Sequence, residues 1–194
     1  MNKMSVITGR DKFNKYKNII DFFVRLVSIL PLSVRKWLFF HGRMYQGNVG
    51  RVYRYIFFKT LAKKCGTNVA ISPGVYMENI DKISVGNNVS IHSMCYLDGE
   101  GTITIGNNVS IAHRTTILSS SHTYKEKKVP IKYQKMVAKP VEINDDCWIG
   151  CSVSILAGMT IGSGSVIGAN STVTKPIPSN VVAVGSPARV IKER

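Results

Sequence analysis

Three of the chain's four histidines, those outside its basic front, offer its most versatile acid–base chemistry: His92, His113 and His122. A neutral imidazole can accept a proton from a weakly acidic alcohol near neutral pH, so each is a candidate general base. Three histidines also raise the question of a metal centre. For each of them the plain alternative is a solvent-facing turn or loop position. Four cysteines, Cys65, Cys95, Cys147 and Cys151, form neither a CxxC pair nor any paired set. They read as buried thiols, which implies a reducing, cytoplasmic compartment.

The elements that must position these groups show themselves by a beat of six. Isoleucine or valine falls on every sixth residue at Ile143, Ile149, Ile155, Ile161, Ile167 and Val173. A helix repeats at 3.6 residues and a strand at 2, so neither produces this. A coil with three short flat sides does, each side turning one aliphatic residue inward. The beat starts at Ile71 and Met77. It resumes at Val85, Ile91 and Leu97, and again at Ile105, Ile111 and Ile117. Two slips of two residues mark bulged corners. Ile117 and Ile143 are 26 residues apart, so residues 118–142 leave the coil as an excursion loop. Fourteen hexads at three per turn make between four and five turns. Glycine follows the inward residue at Gly86, Gly106, Gly150, Gly162 and Gly168. Small or β-branched residues stand two before it, as at Val89, Val109 and Val153. Cys95 and Cys147 take that same position.

Charge divides the chain. Residues 1–64 carry 14 Lys/Arg against 2 Asp/Glu, and residues 65–194 carry 12 against 9, so the front holds +12 of the net +15. The front lacks the hexad beat. Ile19, Ile20, Phe22, Phe23, Leu26, Val27 and Leu30 recur near helical spacing, as do Val49, Val52, Tyr53, Ile56, Phe57 and Leu61. This predicts two or three basic amphipathic helices in residues 1–64, followed by the coil in 65–194 with a C-terminal tail at 175–194. The apolar stretch Phe22–Leu30 is interrupted by Arg25 and followed by Pro31; it is too short to span a bilayer and carries no secretory cleavage pattern. The helices suit a cap on the open end of the coil, whose strand edges need covering. They also suit peripheral contact with the inner membrane face. Nucleic acid is not expected as a partner, because no recognition motif accompanies the charge.

The run VEINDDCWIGCSVSILAGMTIGSGSVIGANSTVTKPIPSNVVAVGSPARVI (residues 141–191) resembles the hexapeptide-repeat acyltransferases. It is most similar to the branch holding galactoside and maltose acetyltransferases and polysaccharide O-acetyltransferases. The resemblance covers roughly residues 65–192, with the repeats, the WIG element, the TVTK element and the GSPARVI tail in family order. The helical front departs from the galactoside and maltose enzymes and looks more like the fronts of surface-polysaccharide enzymes. The resemblance implies an all-β solenoid, a left-handed parallel β-helix assembled as a homotrimer, with acetyl-CoA as donor and no metal. Handedness comes from the resemblance alone. The hexapeptide-coil carbonic anhydrases, which hold zinc, have two histidines five residues apart, a spacing His113 and His122 lack.

The resemblance places the catalytic base at His122, in SSSHTY (residues 119–124) at the start of the excursion. A thioester is already activated, so no covalent intermediate on the protein is required. The base takes the hydroxyl proton as oxygen attacks, a role typically worth ~10²–10⁴-fold. The resemblance also implies a set of positions along the donor. Trp148 lies near the acyl-donor groove, with packing of the loop against the coil as its alternative. Cys151 and Ala169 stand beside the pantetheine arm. Thr174 and Lys175 lie near the nucleotide end, and Arg189 and Lys192 are basic tail positions facing CoA phosphates. On the acceptor side the candidates are Asp98, His92 and Ser93, together with Tyr124 in the excursion. That loop also carries Tyr133 and six lysines (Lys125, Lys127, Lys128, Lys132, Lys135, Lys139). Tyrosine can stack on a sugar and lysine can attract a phosphate-bearing or acidic glycan; a solvated mobile loop is the alternative. The expected reaction is acetyl transfer from acetyl-CoA to a saccharide hydroxyl of a nucleotide sugar or lipid-linked sugar. An amino-sugar N-acyltransferase or a non-catalytic trimeric scaffold is the alternative.

Overall fold

Strands of two or three residues are too short to stand alone, and here each is held by the turn before it and the turn after it. The computed structural model describes residues 9–194; the first eight residues of the expected basic segment lie outside the described residues. The chain begins with α1 (Gly9–Ser28), α2 (Leu32–Gly42) and α3 (Gly47–Leu61). The coil then opens with β1 (Lys64–Cys65), β2 (Ala70–Ile71) and β3 (Tyr76–Glu78). The second turn is β4 (Ile83–Val85), β5 (Ser90–Ile91) and β6 (Tyr96–Asp98). The third is β7 (Ile103–Ile105), β8 (Ser110–Ile111) and β9 (Thr116–Leu118). An arm follows, made of β10 (Ser120–His122) and β11 (Met136–Ala138). The coil resumes as β12 (Val141–Ile143), β13 (Trp148–Ile149) and β14 (Ser154–Ile155), then β15 (Thr160–Ile161), β16 (Val166–Ile167) and β17 (Thr172–Val173). It closes with β18 (Val181–Val184) and β19 (Arg189–Glu193).

These strands form three walls. The first is β1-β4-β7-β12-β15, the second β2-β5-β8-β13-β16-β18-β19, and the third β3-β6-β9-β14-β17. Pairing is parallel and in register, so like positions stack. On the second wall Ile71, Ile91, Ile111, Ile149, Ile167 and Ala183 lie one above another, all fully buried. Each such isoleucine contributes about 1.5–3 kcal/mol by leaving water. The positions two before the inward residues of the second and third walls also point inward: Val89, Cys95, Val109, Cys147 and Val153 are all buried. The coil is left-handed.

Sharp corners between the walls come from residues in the left-handed backbone region. Between the first and second walls these are Asn68, Asn88, Asn108 and Asp146, with φ of 54°, 57°, 57° and 58°. Asparagine and aspartate tolerate this conformation. Their side chains also join turn to turn: Asn68 Nδ2 donates to Asn88 Oδ1, and Asn88 Nδ2 to Asn108 Oδ1, both at 3.1 Å.

The coil has about six turns, more than the hexad count gives. At its front, Cys65 on β1 precedes the first aliphatic beat. At its end, Ile177 bridges to Ile161 and Ala183 pairs with Ile167. Pro176 and Pro178 break the spacing there, which hides these rungs from a reading by periods. The excursion is an antiparallel arm, with His122 opposite Met136.

The helical front covers the first turn. Phe58, Tyr55 and Leu61 of α3 are buried against it. Arg54, 1% exposed, donates from Nε to the Ile71 carbonyl of β2 at 2.7 Å and from Nη1 to the Tyr45 carbonyl. Tyr55 Oη donates to the Gly66 carbonyl at 3.0 Å. Carbonyls at an open strand edge are costly when buried without a partner, and the helices supply those partners.

Candidate functional site

The arm leaves the coil at the corner between the third and first walls, after β9, and returns at β12. Its root is fastened to the turn before. Asp98, 7% exposed at the end of β6, accepts from Ser120 Oγ on one carboxylate oxygen and from the Glu100 backbone N–H at 3.0 Å on the other. Ser119 Oγ donates to the Asp98 carbonyl and itself accepts from the Gly101 N–H at 2.7 Å. His122 ends β10, two residues beyond Ser120. Its imidazole is exposed, while its strand is fixed by pairing of Ser120, Ser121 and His122 with Ala138, Val137 and Met136. Further out, Gln134 donates from Nε2 to the Glu126 and Val129 carbonyls at 2.8 and 2.9 Å, which folds the loop on itself. Tyr124 and Tyr133 are each 74% exposed, and all six arm lysines are exposed.

A second group occupies a different corner, between the second and third walls. His92 and Ser93 lie there in the second turn, His113 and Arg114 directly above in the third, Cys151 in the fourth and Ala169 in the fifth. The stacking is carried by backbone bonds: Arg114 N–H to the Ser93 carbonyl at 3.0 Å, Ser152 N–H to that of His113 at 3.0 Å, and Asn170 N–H to that of Cys151 at 2.9 Å. His92, Ser93, Met94, His113 and Arg114 line a shallow cleft at this corner. Trp148 stands on the outer face of the neighbouring wall, between Ser110 and Val166, with 57% of its surface exposed. It faces outward and does not pack the arm against the coil.

Thr174 and Lys175 follow β17 at the same corner as the arm, and both are exposed. Arg189 opens β19 opposite Val184, and Lys192 stands opposite Val182; both side chains are exposed. One chain therefore does not gather the site residues around one cleft. His122, Tyr124, Asp98, Thr174 and Lys175 belong to one corner. His92, Ser93, Cys151 and Ala169 belong to another, with the third wall between them.

All four thiols are free. Burial pushes the Cys65 thiol up to about 12 and the Cys95 thiol up to about 11, and it raises Cys147 as well. Their surroundings suppress thiolate formation, which is the opposite of what a nucleophile needs. Cys151 is half-buried at its corner.

Sequence reading missed the serine ties at the arm root and the placement of Arg114 beside His113. The run Ser119-Ser120-Ser121 was the available signal, since hydroxyls clustered where a chain leaves a sheet often bond nearby backbone.

Comparison with known proteins places this geometry. Residues 140–175 match the bacterial transferase hexapeptide (six repeats) family model. A protein named as a colanic acid biosynthesis acetyltransferase, WcaF, of Escherichia coli (strain K12) is 32% identical over 165 residues, 84% of this chain and 88% of its own. The structure of a galactoside acetyltransferase in complex with coenzyme A superposes with a TM-score of 0.74 at 36% identity, covering 82% of this chain and 78% of that one. AntD, an N-acyltransferase from Bacillus cereus, superposes with a TM-score of 0.58 at 26% identity, covering 70% of this chain and 85% of that one. With a relative this similar across most of both chains, and with the repeat read independently from its stacked isoleucines, the chain belongs to the hexapeptide-repeat transferase family and is an acetyltransferase.

Proposed function

We propose that the protein moves an acetyl group from acetyl-CoA to a hydroxyl of a saccharide, a precursor of surface polysaccharide or glycolipid, with His122 as the base. The observation that carries this reading is the exposed imidazole at the end of β10, on an arm whose root is locked by Asp98, Ser119 and Ser120. The imidazole takes the hydroxyl proton while the sugar oxygen attacks the thioester carbon. The carbon–sulfur bond then breaks, and the proton passes to the departing thiolate of CoA. The energy comes from the thioester, so no oxidant, reductant or metal enters the balance. Trp148, Cys151 and Ala169 would lie along the donor, with Thr174, Lys175, Arg189 and Lys192 toward its phosphates. His92, Ser93 and Tyr124 would meet the acceptor. Asp98, with both oxygens engaged inside the fold, would act by positioning the strand that carries His122.

The separation of these groups onto two corners supports a site shared between copies. In a homotrimer the arm corner of one subunit would face the histidine corner of the next, and the donor would lie in the groove between them. Incubating the protein with radiolabelled acetyl-CoA and a panel of sugars, nucleotide sugars and glycolipids tests the reading. Label should pass to a saccharide and should be lost in His122→Ala. Transfer to none of them, or full turnover by that variant, would overturn it.

A second reading has an amine as acceptor, and the likeness to an N-acyltransferase favours it. Paired acceptors that differ only in hydroxyl or amine separate the two readings. Acetyl recovered as an alkali-labile ester supports the first, and an alkali-stable amide supports the second.

A further inference from the structure

Helix α1 carries two apolar stripes, and the fold uses only one. Ile20, with Phe13, Val24 and Val27, packs inward against the core. The second stripe is Ile19, Phe22 and Leu26, at spacings of three and four that place them on one helix face, with Ile29 in the turn that follows the helix. They are 57%, 62%, 51% and 79% exposed. In α2, Leu32 and Trp37 are also exposed, at 49% and 59%. Lys15 extends the stripe one turn toward the N-terminal end, Arg25 borders it, and Lys17 and Asp21 lie on the side away from it. A run of exposed apolar side chains on this scale marks an interaction surface.

Charge decides what that surface fits. From Lys12 to Arg43, the stretch that holds both exposed faces, the chain has seven Lys/Arg against one acidic residue, Asp21. Two such faces pressed together would set cations against cations. A nucleic acid would answer the charge and leave the apolar stripe unused. Among the described residues no helix is long and apolar enough to cross a membrane. A helix apolar on one side, basic at its margins and unable to span lies in the plane of a bilayer interface.

We infer that α1 and α2 dock the protein on an anionic lipid surface. The second stripe sinks among the acyl chains at the interface, Trp37 sits at headgroup depth, and Lys15 and Arg25 meet the lipid phosphates. The inference is independent of which acceptor the arm corner takes.

The test is flotation of the full-length protein with vesicles of phosphatidylcholine alone, or with about a third phosphatidylglycerol. The protein should float with the anionic vesicles and lose most of that binding in about 0.5 M salt. Phe22→Ser/Ile29→Ser changes only exposed side chains, so it should keep the wild-type melting temperature and lose vesicle affinity by at least about tenfold. Lys15→Gln/Arg25→Gln should lose about fivefold per cation on anionic vesicles and nothing on neutral ones. Wild-type protein that stays at the bottom of the gradient, or an apolar double variant that floats like wild type, would overturn the inference. A wild type that does not float while Phe22→Ser/Ile29→Ser lowers its mass by light scattering would overturn it too, and would assign the stripe to a seam between copies.

Discussion

Ile149 has a rung on either side: Ile111 precedes it in the stack, Ile167 follows it, and no surface of it meets water. His122 has one neighbouring strand, β11, and an exposed ring. The first residue is interchangeable in kind with four other isoleucines on its wall. The second has no counterpart in any other turn. In the wall, a residue's environment is set by its period, so stability is spread evenly among like rungs. In the arm, the environment is set by a few particular ties. On the proposed reading, the chemistry sits where the repeat is interrupted.

That contrast can be broken most severely at His122. Replacing it with alanine should lower turnover by ~10²–10⁴-fold and leave the melting temperature at its wild-type value. A variant that kept its turnover would mean the arm does not carry the base. The reverse outcome is expected for Ile149→Ala. It should cost about 2–5 kcal/mol of stability, read as a lower midpoint in chemical denaturation at fixed protein concentration, with per-site turnover nearly intact at low temperature. If Ile149→Ala silenced the enzyme without destabilising it, wall and arm would not be separable.

Ser120→Ala sits at the junction and sharpens the boundary. It leaves one Asp98 oxygen without its partner, a loss of about 1–3 kcal/mol confined to the arm root. Limited proteolysis should cut the 123–135 segment faster, turnover should fall more than KM rises, and the coil should melt almost as before. Equal loss of coil stability would show that the arm root belongs to the wall.

The smallest effect is read from thiols. In the native protein a thiol reagent at pH 8 should label Cys151 and spare Cys95 and Cys147, whose protons burial holds on. The unfolded chain releases the Cys95 proton near the ordinary 9.0 and the folded chain only near about 11. Stability should therefore decline as pH rises across that window, because the unfolded state loses protons first. Early labelling of Cys147 would mean the wall opens at its corner.

The walls were legible in the sequence because burial there repeats with the residues: Ile143 to Val173 state the period, and Cys95 and Cys147 fit its secondary position. The closing turn was not, since Pro176 and Pro178 displace Ile177 from the beat. Nor was the pairing of residues 120–122 with 136–138, because neither strand alternates apolar and polar residues in a way that marks a buried face. His122 emerged only through resemblance. Nothing in its own spacing separates it from His92 or His113, and what sets it apart is the locked root beneath it. Asp98 was visible as a carboxylate near a bulge, but its engagement by Ser120 depends on a contact across 22 residues of chain. Arg54 gave no sign of its place either, since a charged residue in a basic helix ordinarily faces water.

The antiparallel turn-back of β19 on β18 has a consequence for how these molecules behave in a crowd. Every other rung of the second wall is a parallel template that a further rung could extend, and stacked parallel templates are the geometry of fibre growth. β19 runs the wrong way for that, with Arg194 clasping Asp146 at 2.9 Å and the Gly164 carbonyl at the same distance. Ala188 donates its N–H to Thr172 on the third wall, so the tail occupies that edge as well. The last stretch of chain thus works as an end-stop. It lets a self-templating architecture remain finite at this end, as the helices do at the other, and trimming it would bare a parallel strand edge there.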